Sequence, residues 1–218
     1  MLDGPSLAPA SGRKPTALVV LLHGYGSNGA DLISLAPPLQ PLLPDAAFVA
    51  PNAPSRLPHM AEAYQWWPIQ GFSPAELTRG ADSAAAGIDA FLTHALDELG
   101  LDDSRLLLVG FSQGTMMALH VGLRRPRAAA GIIGFSGMLV ASERLTADIR
   151  SRPPVLLLHG TADEVVPFGS LDLAAAALRA VSVAVETHVA PGIGHGIDPA
   201  GLTAAARFAE RVLGRSAP

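Results

Sequence analysis

The chain has 218 residues, enough for one domain with a full hydrophobic core and too few for two of ordinary size. It contains no cysteine, which excludes disulfides, cysteine-ligated zinc, iron–sulfur clusters and a thiol nucleophile. The net charge is −4 and only 16% of residues are charged; this excludes a broad nucleic-acid-binding face, leaves room for an apolar surface patch and is compatible with a homodimer.

Residues 1–15 lack the apolar stretch of a secretory signal and read as a flexible N-terminal tail. The longest apolar run, 128–135, is far below the ~20 residues that span a bilayer, so the expectation is a cytoplasmic protein without stable membrane insertion. A first strand is expected at 17–22, a continuous aliphatic run between Pro15 and Gly24, and a second at 47–50, ending at Pro51. The segment 52–78 is long, irregular and aromatic, as functional loops often are. Over 82–99 the residues Ile88, Phe91, Leu92, Ala95, Leu96 and Leu99 share one helical face, and Gly100 stops the helix. Further strands are expected at 105–109, 131–135, 155–158 and 183–189, and helices at 113–123, 171–181 and 203–213. Continuous rather than alternating aliphatic runs belong to strands buried on both faces. Their alternation with helices predicts an α/β fold with a mostly parallel central sheet and helices on both faces, a single domain over 16–214 followed by a short C-terminal tail at 215–218.

In such sheets, sites form where strands end. After 105–109 comes Gly110-Phe111-Ser112-Gln113-Gly114, a G-x-S-x-G turn between strand and helix. That turn lifts the serine above the sheet and aims a helix N-terminus at it, which is how a serine nucleophile is presented. The base must follow an acid later in the chain. His188 lies inside a strand, whereas His195 stands in the Gly-rich loop 191–196 just past the last strand. Asp163 follows the strand 155–158 and is the acid of choice, with Glu164 as the fallback. The first strand ends in His23-Gly24-Tyr25-Gly26-Ser27-Asn28-Gly29. This contains G-x-G-x-x-G, but the next strand ends in Ala50-Pro51-Asn52 without the acid that would hold a ribose, so no dinucleotide cofactor is expected. The better reading is an oxyanion loop whose donors are the N–H groups of Tyr25 and Gln113, with His23 holding the loop. Trp66, Trp67 and Phe72 could wall a substrate pocket or pack the loop onto the core, and Met116 could line the pocket. No metal motif is present, and no metal is expected.

Together these residues resemble the α/β-hydrolase superfamily, and more closely its phospholipase/carboxylesterase family, which includes acyl-protein thioesterases. The resemblance runs over about 18–213 and rests on residues 22–26, 50–54, 65–68, 110–114, 159–163 with Val166-Pro167, and 194–196. It implies a hydrolase without a large cap, with Ser112, Asp163 and His195 as its triad, Tyr25 and Gln113 as oxyanion donors, and a small-molecule ester as substrate. Short- to medium-chain acyl esters come first, lysophospholipids and acyl thioesters second; a non-catalytic binding module on the same fold is the reading from another class. One departure is Thr115, where many members carry a glycine.

Overall fold

All six aliphatic runs become strands. The structure, a computed structural model, describes residues 2–69 and 71–214. In chain order the strands are β1 (Ser6–Leu7), β2 (Ala17–Leu22), β3 (Ala46–Val49), β4 (Ser55–Arg56), β5 (Tyr64–Gln65), β6 (Leu106–Phe111), β7 (Gly131–Phe135), β8 (Val155–Gly160) and β9 (Val185–Ala190). The helices are α1 (Gly29–Leu32), α2 (Ala36–Leu39), α3 (Pro74–Leu99), α4 (Gln113–Gly122), α5 (Leu145–Asp148), α6 (Gly169–Ala180) and α7 (Pro199–Leu213).

Seven strands form one sheet in the order β1-β3-β2-β6-β7-β8-β9, parallel except for β1. Both faces are covered, which is why the runs do not alternate. Leu18, Val20 and Leu22 of β2 pack with Ile88, Leu92, Met117 and Leu178 from α3, α4 and α6. Val19 and Leu21 point the other way, into a layer with Leu32, Leu39 and Phe208 from α1, α2 and α7. At the far edge, β9 is half exposed, as its mixed composition predicts. From β2 the chain winds outward to β3, and from β6 it winds the opposite way through β7, β8 and β9. The loops after β2 and β6 therefore diverge and leave a crevice at the carboxyl edge of the sheet, the topological switch point.

Three expectations are corrected. Residues 1–15 are not all loose tail: Ser6 and Leu7 pair antiparallel with Val49 and Phe48, and the Asn52 N–H donates to the Asp3 carbonyl at 2.8 Å. The outer edge of β3 needs partners for its backbone, and a two-residue strand between prolines has no periodicity to betray it. The segment 52–78 contains the β4–β5 hairpin and the first turn of α3, which begins eight residues before the expected start. Its signal was the capping box Ser73-Pro74-Ala75-Glu76, in which the Ser73 side chain accepts from the Glu76 N–H. Likewise α7 starts at Pro199, capped by Asp198. The C-terminal tail at 215–218 lies outside the described residues.

The seam between α3 and α4 carries a pH dependence. His120 is 1% exposed, its Nε2 lies 3.0 Å from Asp82 Oδ1, and its buried Nδ1 has no partner among the described residues. Burial, helped by the Arg124 charge, pushes its pKa down to about 4 despite Asp82. Burial also lowers His23. Both histidines ordinarily titrate near 6.5 when unfolded, so below that pH the unfolded chain binds more protons and stability is lost as pH falls toward 4. The His120 share is on the order of 2 kcal/mol, or roughly 5 °C in Tm. Thermal melts from pH 7 to 4 are expected to show this fall, and His120→Gln, which keeps a donor for Asp82 without a proton to gain, to flatten it.

Candidate active site

Ser112 stands between β6 and α4 with φ 54° and ψ −117°, a conformation that L residues avoid. Its N–H donates to the Phe135 carbonyl at 2.9 Å, pinning the turn to the end of β7. The turn is tight because α4 passes close over β2: a Cβ on Gly114 would lie 1.8 Å from the Leu22 carbonyl oxygen. Thr115, the departure noted above, is accommodated rather than disruptive. Its hydroxyl lies 2.8 Å from the carbonyl oxygens of both Gly110 and Phe135, and its methyl occupies the space beside Gly134 and Gly137.

Asp163 is fully enclosed. Its Oδ1 accepts the N–H groups of Val165 and Val166, each at 2.9 Å, and its Oδ2 lies 2.8 Å from His195 Nδ1. Burial alone would raise its pKa. The His195 hydrogen bond and the Val166 and Val165 N–H groups outweigh that and hold the carboxyl below the usual aspartate range. An ionised Asp163 accepts from Nδ1–H and so leaves the lone pair of His195 on Nε2. The His195 ring packs on Phe111, the residue before Ser112, with centroids 4.9 Å apart. The acid and the imidazole are thus joined and lie against the elbow, while Ser112 Oγ and His195 make no hydrogen bond to each other in this structure.

The loop after β2 abuts the same elbow, since a Cβ on Gly24 would fall 3.2 Å from Ser112 Cβ. Gly26 N–H donates to the Tyr64 carbonyl, and Tyr64 N–H to that of Ser27, both at 2.8 Å. Among the described residues, neither the Tyr25 N–H nor the Gln113 N–H has an acceptor within the protein, and the latter opens a helix N-terminus. His23 has the structural part expected of it. Nδ1 bonds the Gly24 carbonyl at 2.8 Å and Nε2 accepts the Ala53 N–H at 3.0 Å, which requires a neutral ring.

The expected substrate wall is corrected. Trp66 and Met116 are 2% exposed and Trp67 3%; all three belong to the core beneath the site. The Trp66 indole N–H finds its acceptor there, the His23 carbonyl at 2.9 Å, and so needs no open pocket. Phe72 is 57% exposed, in the loop before α3. What holds Trp66 and Trp67 escaped the sequence reading. Gln113 Oε1 accepts the Trp66 N–H at 2.9 Å and Nε2 donates to the Trp67 carbonyl at 3.0 Å, clamping the end of the hairpin segment to the elbow. The side chain of Gln113 therefore matters as much as its backbone. Gln113→Ala strands a buried N–H and a buried C=O, and is expected to cost about 2–4 kcal/mol of stability and to raise KM as the loop after β2 loosens. A denaturant titration paired with steady-state kinetics checks both. A second imidazole, that of His159, lies 3.2 Å from the same Asp163 Oδ2. Among the described residues no three His, Asp or Glu side chains converge as a metal site, and no helix is long and apolar enough to cross a membrane.

A family model of phospholipases and carboxylesterases matches residues 8–213. The chain belongs to the phospholipase/carboxylesterase family. The fold and membership make it an ester-hydrolysing enzyme of the α/β-hydrolase superfamily, and the described residues form no large cap. The crystal structure of esterase PE8 is similar at 43% identity and a TM-score of 0.93, covering 97% of this chain and 99% of that one. Acyl-protein thioesterase 1 of Aspergillus fumigatus is 28% identical, covering 96% of this chain and 92% of its own length. The protein of the same name from Schizosaccharomyces pombe is 30% identical over 70% of each chain. Acyl-protein thioesterase 2 of Zea mays, 24% identical with a TM-score of 0.75 over 98% of this chain, shares the fold.

Proposed function

We propose that this family member hydrolyses short- to medium-chain carboxylic esters in the cytoplasm through an acyl-enzyme on Ser112. The observation that carries the reading is the enclosed Asp163 hydrogen-bonded to His195, beside a serine held in a strained strand–helix turn. Ser112 Oγ attacks the ester carbonyl while His195 Nε2 takes its proton. Asp163 keeps the imidazole in the Nδ1–H tautomer and stabilises its charged form. The oxyanion settles on the N–H groups of Tyr25 and Gln113. His195 then returns the proton to the departing alkoxide, leaving an ester of Ser112. A water attacks that ester with His195 again as base, releasing the acid and restoring the serine.

Ester is favoured over thioester because the 43% identical structure is that of an esterase, while the thioesterases compared above are 24–30% identical. The test is a parallel assay of p-nitrophenyl butyrate, p-nitrophenyl octanoate, the matching S-acyl thioesters and a lysophospholipid. The reading expects the oxygen esters to give the highest kcat/KM. A thioester preference of tenfold or more would move the enzyme to the thioesterase reading. No turnover of any of them, with the protein folded, favours a binding module.

A further inference from the structure

We propose that His159 is a positioning residue that orients the Asp163 carboxylate toward His195, an assignment that rests on the Ser112–His195–Asp163 reading above. His159 sits near the carboxyl end of β8 with its side chain 1% exposed. Its Nε2 lies 2.9 Å from the Val166 carbonyl oxygen and 3.2 Å from Asp163 Oδ2. A carbonyl only accepts, so Nε2 carries the proton and donates it to Val166, while Asp163 Oδ2 lies in contact with the same N–H dipole. Phe168 packs edge-on against the ring at 6.1 Å and limits its swing.

The consequence falls on Asp163. Oδ1 is fixed by two backbone N–H groups from its own turn, and Oδ2 lies 2.8 Å from His195 Nδ1 and 3.2 Å from His159 Nε2. These are the basic side chains within 4 Å of the carboxylate among the described residues; Glu164, next in the chain, is exposed and has no ion pair among them. Without His159 the two Oδ1 bonds would still hold the carboxylate at one corner, but Oδ2 would be free to pivot about it, and the Val166 carbonyl would lose its donor. A purely structural role, tying the loop 163–166 to β8, would leave the chemistry of Oδ2 alone. The two roles separate experimentally.

The variants are His159→Gln, whose amide nitrogen reaches the place of Nε2, and His159→Asn, which is one methylene short. The glutamine enzyme is expected to keep kcat/KM within about threefold of wild type and the asparagine enzyme to lose roughly tenfold in kcat, as Oδ2 loses the N–H dipole beside it and Val166 its donor. The acidic limb of the pH–kcat/KM profile should move up by about half a unit in His159→Asn and stay in place in His159→Gln. A carboxylate that loses a neighbouring N–H dipole draws the His195 proton more strongly. In an Asp163→Ala background His159→Asn should cause no further loss. Equal losses in both variants with the limb unmoved, or the same fold-loss with Asp163 absent, would overturn the proposal while leaving the triad intact. If Asp163→Ala itself turned over like wild type, the triad reading would fall and this proposal with it. Should His159→Asn not fold, His159→Phe, which fills the place of the ring without a polar hydrogen, takes over: an acidic limb moved up by about half a unit supports the assignment, and an unmoved limb refutes it.

Discussion

Ser112→Ala is expected to lower kcat by about 10⁴–10⁶ while leaving KM near its wild-type value and the melting temperature almost unchanged. The alanine removes the oxygen proposed to form the acyl-enzyme, but it keeps the same backbone at φ 54°, ψ −117° and therefore the same strain. Ser112→Gly divides the two effects. It is as inactive, yet glycine occupies that region of φ/ψ freely. The strain is worth ~1–3 kcal/mol and the extra freedom of glycine in the unfolded chain takes back part of it, so a net gain of about 1 kcal/mol, or roughly 3 °C, is expected. Calorimetry on the two variants beside an ester assay checks the pair. An inactive Ser112→Gly that melts below Ser112→Ala would show that the turn holds no strain. An active Ser112→Ala would remove the nucleophile assignment.

Gly114→Ala should be the most destabilising single methyl in the molecule. The added carbon would meet the Leu22 carbonyl oxygen at 1.8 Å and the His23 carbonyl oxygen at 2.7 Å. Both are backbone atoms at the end of β2, so neither can turn aside as a side chain could. The only relief is for α4 to lift off the sheet, carrying Ser112 and Gln113 with it. A loss above about 3 kcal/mol is expected, together with most of the activity in whatever folds. Gly87→Ala is the control. It lies within α3 with nothing inside 4 Å of the added carbon, and should stabilise by about 0.5–1 kcal/mol through helix propensity alone. Urea titrations of the two would differ in sign.

The parts of the fold legible in the sequence are those with a period or a local rule. Val19 and Val20 reveal burial on two faces because aliphatic residues continue without a break. Ser112, Asp163 and His195 could be picked out because each follows a strand, and chain order within this fold type limits the partners. The Gly100 stop is local too, and the structure puts it at φ 66°. What stayed hidden depends on contacts between distant segments. Nothing in the local sequence of Gln113 says that its amide will satisfy backbone groups 46 and 47 residues away. The aromatic cluster at 64–72 could have been wall or core, and burial of the two indoles decided for core only once the partner of the Trp66 N–H was known. His159 precedes Asp163 in sequence, so chain order gives it no part in the site, yet the turn 160–163 folds the acid back beside it. By contrast, the early start of α3 is readable, because Ser73 and Glu76 announce it.

The short antiparallel strand at the front of the chain has a meaning for how this molecule behaves among copies of itself. A parallel sheet ends in a border of unsatisfied amide groups, and Phe48 and Val49 would stand on that border if nothing lay across it. Ser6 and Leu7 seal it with backbone alone, and Pro5 and Pro9 on either side cannot donate to a further strand. The seal is thin, two residues wide, but it turns an adhesive margin into a closed one. The opening residues of the chain thus guard against strand-to-strand aggregation, at the opposite edge of the sheet from β9 with its Glu186 and His188.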